Sequence, residues 1–206
     1  VLAAGINCPC VAGALCLRSA PQIRAFSSPW PAVVSTMRRL SLLLSFDHEL
    51  SLGGTDCYHR NLFEPTEQIL ELASELNAPV TLFTDILSAV RFEQWDFEGY
   101  YRPYTEQLQR ALAAGHDVQL HLHPHWLDSE FRDGEFIPAK TFALGDFLHR
   151  QSPLDIPGIV QLGVHRLNEI CLAVTPEYAC VAFRAGGLVM APATSEILTA
   201  RACVPR

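Results

Sequence analysis

From Leu40 onward the apolar residues fall into short runs of strand length that alternate with longer stripes at helical spacing. Leu40 to Asp47 reads as a first strand, and the segment from about Pro65 to Leu76 as a helix. Pro65 suits the first turn of that helix and Asn77 its end. Val80 to Asp85 reads as a second strand, followed by a helix from about Tyr104 to Ala114 that stops at Gly115, the expected left-handed cap. Asp117 to His123 is a third strand. A loop with a short helix comes next, then a helix from about Ile159 to Ala173, a fourth strand from Ala179 to Arg184, and the start of a last helix near Ser195.

A β-α pattern repeated in this way implies an α/β fold with a parallel sheet and helical crossovers, either an open doubly wound sheet or part of a barrel. In both, functional groups gather at the carboxyl ends of the strands. Asp47, His48 and Glu49 lie at the first such end, His121 to His125 at the third and Arg184 at the fourth. Upstream, residues 1–36 contain Pro9, Pro21, Pro29 and Pro31 with Ser27-Ser28 and no sustained period, so they are expected to be a poorly ordered extension. The domain is expected over residues 37–206, truncated after about four βα units, because the tail from Thr199 abandons the helical pattern at Pro205.

Composition narrows the partners. With 206 residues, 49% apolar and 18% charged, the chain is long enough for one domain with a substantial core. A formal net charge of -7 and no basic cluster beyond Arg38-Arg39 argue against a nucleic-acid partner. No apolar run approaches the roughly 20 residues of a membrane-spanning helix. The seven cysteines, Cys8, Cys10, Cys16, Cys57, Cys171, Cys180 and Cys203, are odd in number and form no framework. A reducing, cytoplasmic setting is the expectation, and Cys8-x-Cys10 lacks the second pair of a zinc finger.

The chemistry lies in two clusters and one arginine. Asp47 and Glu49 stand two apart at a strand end, so the period of two aims both to one side, where a cation between them would relieve their repulsion. In His121-Leu122-His123-Pro124-His125-Trp126, three histidines alternate at the end of another strand and could hold one borderline-soft ion. Strand alternation pairs His123 with His121, whereas Pro124 ends the strand and lets the loop return His125 instead. Arg184 runs into Gly186-Gly187, where the backbone can turn tightly, and Asp47 is its natural carboxylate partner.

Leu44-Ser45-Phe46-Asp47-His48-Glu49, the stretch Ala114-Gly115-His116-Asp117-Val118-Gln119-Leu120 running on through His121 to Trp126, and Phe183-Arg184-Ala185-Gly186-Gly187 together resemble three motifs of a known family. They are similar, in the same order and over roughly residues 40 to 200, to the first motifs of the polysaccharide deacetylases of carbohydrate esterase family 4, the NodB-homology domain. The resemblance implies a distorted (β/α) barrel and a divalent metal, zinc, held by one acid and two histidines. Carried over, Asp47 is the general base, Glu49 the acidic ligand, His121 and His125 the imidazole ligands with His123 as the alternative, and Arg184 the residue that orients the base. His48 stands where the family has a second aspartate, which is why the ligand role falls to Glu49.

The implied reaction is metal-assisted hydrolysis of an N-acetyl or other N-acyl group on a carbohydrate, with Asp47 taking the proton of the attacking water. The general acid for the departing amine is expected in a later motif, beyond Arg206. Trp95, Tyr100, Tyr101 and Trp126 are candidate platforms for sugar rings, or else packing residues. Two alternatives are an inactive metal- or sugar-binding homologue and an amidohydrolase-type barrel, which also uses His-x-His but on its first strand.

Overall fold

A computed structural model describes residues 41–51, 57–190 and 194–196. The expectations for residues 1–36, for the cysteines at 8, 10, 16 and 203 and for the tail from 199 lie outside these residues.

Strand β1 is Leu44–His48 and helix α1 is Glu64–Glu75, entered through a π-helical turn at His59–Phe63 with Pro65 in the first helical turn. Strand β2, Val80–Asp85, runs directly into α2, Ile86–Trp95. A second π-helical turn, Phe97–Tyr101, leads to α3, Arg102–Ala113, and then to β3, Asp117–Leu122. After a short α4, His125–Asp128, come β4, Glu130–Arg132, and β5, Glu135–Ile137. Helix α5, Ile156–Leu172, and β6, Phe183–Ala185, follow, and a 3-10 turn at Gly186–Leu188 comes directly after β6. Asn77 and Gly115 take positive φ, 50° and 88°, and so end α1 and α3 as left-handed caps.

The four parallel strands are ordered β1-β2-β3-β6. This is a mixed α/β fold whose sheet is curled into half of a barrel. Three steps of roughly 4.8 Å would set β1 and β6 about 14 Å apart in a flat sheet. Yet Arg184 of β6 donates to Ser45 of β1 at 2.7 Å and also bonds Asp47, which only a concave sheet allows. On that concave face the register aligns Asp47 with Phe83, Phe83 with Gln119, Asp85 with His121, and His121 with Arg184.

The convex face carries the core. Val80, Leu82, Val118, Leu120 and Leu122 are buried, as are Leu108 and Ala111 of α3 and Ile159, Val160 and Leu167 of α5. Gly163 brings α5 close to the sheet, because a Cβ there would lie 2.8 Å from the Leu122 side chain and 3.2 Å from that of Leu120. An aromatic cluster of Phe92, Tyr100, Trp126 and Phe136 fills the carboxyl end behind the concave face.

Three elements depart from the sequence reading. Helix α2 continues the apolar run of β2 with no glycine or proline between them, so the change of period from two to 3.6 is hidden. The hairpin β4-β5 turns on Asp133-Gly134, both at positive φ, a strong two-residue turn signal inside what reads as a loop. The expected strand from Ala179 shortens to Phe183–Ala185, because the Gln119 carboxamide oxygen accepts the N–H groups of Val181 and Ala182, both at 2.8 Å.

Candidate metal centre

Strand β3 and the residues just beyond it present two imidazoles to β1. His121 Nδ1 lies 2.8 Å from the Arg184 carbonyl oxygen. A carbonyl only accepts, so Nδ1 carries the hydrogen and Nε2 offers its lone pair. That Nε2 is 3.0 Å from Glu49 Oε2 and 3.1 Å from His123 Nε2, and His123 Nε2 in turn meets the same Glu49 oxygen. The ligand atoms of Glu49, His121 and His123 all lie within 4.8 Å of one another. Two imidazole nitrogens and a carboxylate oxygen, with one tautomer set by a backbone carbonyl, fit the donor set that a divalent ion such as zinc takes. Burial by itself would raise the Glu49 carboxyl, but its bonds to His121 and His123 outweigh it and hold the group down to about 2. Burial would likewise lower the His121 pKa, but the bond to Glu49 and the charge of Asp85 raise it.

Arg184 serves this centre twice. Its carbonyl fixes His121, while its guanidinium bonds Asp47 and Ser45 and lies 4.1 Å over the Phe83 ring. The expected pairing of Arg184 with Asp47 is present. Beyond β6, a Cβ on Gly186 would overlap the Leu122 carbonyl oxygen and stand 2.7 Å from His123 Nδ1, so this backbone lies against the His123 ring. Gly187 then turns at φ 62°.

His125 is not part of the group. Residues 121 and 123 alternate onto one face as β3 ends, but Pro124 opens the helical turn α4 and carries His125 aside. Its ring is fully buried beside Trp126 and Phe142, with centroids at 4.7 Å and 5.0 Å, and neither nitrogen has a partner among the described residues. Burial, aided by the neighbouring His123, lowers its pKa to about 4. The ring pairing thus follows strand alternation rather than the ligand set that the family resemblance implies.

His48 points to the convex face. Gln107 Nε2 donates to the Phe63 carbonyl oxygen and to Glu67, so its Oε1 accepts from His48 Nε2 at 3.0 Å. His48 Nδ1 must then accept from Thr84 at 2.9 Å, and Thr84 accepts from Tyr104. Burial lowers the His48 pKa to about 4 against the opposing pull of Gln107 and Glu67, so the ring is neutral. His116 of the Gly-His pair is structural as well, since it accepts the Val80 N–H and bonds Ser74 at the amino end of the sheet.

Sequence reasoning passed over Asp85. It is fully buried at the end of β2, where its carboxylate accepts the His123 N–H at 3.1 Å and the Trp126 indole N–H. Burial raises its carboxyl to about 6, opposed by His123, His121 and these bonds. Its position at a parallel-strand end is the signal that could have found it. Of the candidate sugar platforms, Tyr100 and Trp126 are fully buried, and Trp95 stacks on Phe131 with ring planes 15° apart. Tyr101 is half-buried, with its ring 5.2 Å from that of Phe97. The open hollow of about 370 Å³ bordered by Glu67, Glu71 and Arg110 includes none of the centre's residues.

No family model, curated protein or solved structure matches the chain. Among the described residues, no helix is long and apolar enough to cross a membrane.

Proposed function

We propose that this chain is a metal-dependent hydrolase of the polysaccharide-deacetylase type, built on a NodB-like barrel and removing N-acyl groups from a carbohydrate. One observation carries the reading. Glu49, His121 and His123 converge at the carboxyl end of a curled parallel sheet, and Asp47 is held by Arg184 on the same strand end. The three sequence motifs that resemble the deacetylases are the segments that meet there.

In this reading Glu49 Oε2, His121 Nε2 and His123 Nε2 hold the ion. When bound, a divalent ion such as zinc supplies a Lewis acid for the acyl oxygen and makes a water easier to deprotonate. Asp47 takes the proton of that water as general base. Arg184 aims Asp47 and, through its carbonyl, keeps the His121 lone pair turned toward Glu49, so one residue coordinates both halves of the site. The low pKa of Glu49 keeps it an anionic ligand throughout the neutral range.

The test is acetate release from N-acetylated chito-oligosaccharides at saturating zinc. Asp47→Asn should keep zinc and lose about a hundredfold or more in rate, as expected for a missing base, whereas Glu49→Gln should lose zinc itself. An undiminished rate in Asp47→Asn, or undiminished zinc binding in Glu49→Gln, would sink the proposal.

A further inference from the structure

We infer that Asp85 is a positioning residue for the metal centre: by accepting both the His123 backbone N–H and the Trp126 indole N–H, it staples the turn that aims His123 at Glu49. The inference rests on the metal reading above, because it concerns how one ligand of that centre is held.

The two donors bracket the Pro124-His125 turn, one at its start and one just after it. A carboxylate suits this place because it is acceptor-only and can receive both N–H groups at once. The bonds come from β2, the neighbour of β3 in the sheet, so the staple ties the end of the ligand strand to a rigid element. The Gly186 backbone lies close against the His123 ring. His123 is thereby held at its backbone N–H by Asp85 and packed at its ring by Gly186 while its Nε2 remains directed to Glu49. On the far side of the same turn His125 is left among aromatic rings, so the staple also separates the ligating histidine from the non-ligating one.

Asparagine at this position makes a specific conflict. Its one carbonyl can serve the His123 N–H, but its NH2 then faces the Trp126 N–H, donor against donor. Replacing Trp126 with phenylalanine removes that second donor. A purely structural role predicts that the double variant is worse than the single one, because it deletes more packing. A positioning role predicts rescue.

The experiment titrates Co2+, as a spectroscopically visible probe, into the metal-free full chain and three variants: Asp85→Asn, Trp126→Phe and the double variant. The wild type should bind one ion, with visible absorption typical of nitrogen and oxygen ligation. Asp85→Asn should bind roughly tenfold to a hundredfold more weakly, the range for lost outer-shell partners of metal ligands. The double variant should regain at least a threefold share of that loss. Equal affinity in Asp85→Asn and wild type, or no recovery in the double variant, overturns the inference. If Asp85→Asn does not fold, by near-ultraviolet circular dichroism, Trp126→Phe decides: binding weakened at least threefold supports the staple, and unchanged binding overturns it. A wild-type chain that takes up no Co2+ overturns the metal reading itself, an outcome distinct from the other two.

Discussion

His121 and His123 differ from His125 in what their nitrogens meet. The first two turn Nε2 to a carboxylate, whereas the third has both nitrogens buried without a partner. His123→Ala should therefore weaken zinc binding about tenfold or more, while His125→Ala should change it little, as isothermal titration would record. Loss of zinc in His125→Ala alone would assign the second ring to that residue instead. Metal ligands must be deprotonated, and the His121 pKa is raised above its ordinary 6.5. The sign follows: protons compete with the ion as pH falls, and for His121 that competition begins above pH 6.5. Zinc affinity should decline on acidification from neutral pH, and a flat profile down to pH 6 would contradict it.

Among the elements, α5 and β6 depend on close backbone approach. Gly163 lets α5 lie on Leu120 and Leu122, so Gly163→Val should cost about 1–3 kcal/mol through overpacking, read as a lowered denaturant midpoint. Helix propensity does not reverse the sign, since valine gains only a few tenths of a kcal/mol over glycine in a helix. Gly186 acts on the site rather than on the core. A Cβ there meets a β3 carbonyl and the His123 ring, neither of which can swing aside as the tip of a long side chain can. Gly186→Ala should weaken zinc binding more than it lowers the melting temperature of the metal-free chain. A variant that melts early but binds zinc normally would place the strain elsewhere.

For the whole molecule, two buried groups make stability pH-dependent in opposite directions. His48 titrates at about 4 when folded and 6.5 when free, so the unfolded chain binds the proton first and folding weakens as pH drops from 6.5 to 4. The difference amounts to about 3 kcal/mol. Asp85 has its pKa raised from 3.8 to about 6, so the folded chain takes the proton first and gains stability over much of the same range. His125, lowered to about 4 by burial, adds to the His48 effect, so the net profile isolates no single group. The stability difference between wild type and His48→Gln isolates one of them, and it should shrink by about 3 kcal/mol from pH 7 to pH 4 in chemical denaturation of the metal-free chain. A difference independent of pH would mean that His48 is not buried and neutral.

The alternation of period two with period 3.6 determined the parallel α/β arrangement, because only strands joined by helices bury such a pattern. Val80–Asp85 and the caps at Asn77 and Gly115 were legible for the same local reasons. The acidic pair, the histidine run and Arg184 were also legible, since strand ends in such a sheet gather on one rim. What local pattern could not supply was the third dimension. The curl that lets opposite edge strands share the Arg184 bonds depends on sheet geometry, not on any single segment. The partners that keep His48 neutral on the convex face, Thr84 and Gln107, lie 36 and 59 residues away. The placement of His123 rather than His125 beside Glu49 depends on where β3 stops and the turn at Pro124 begins. A period of two says which residues share a face, but only the packed sheet decides what that face meets.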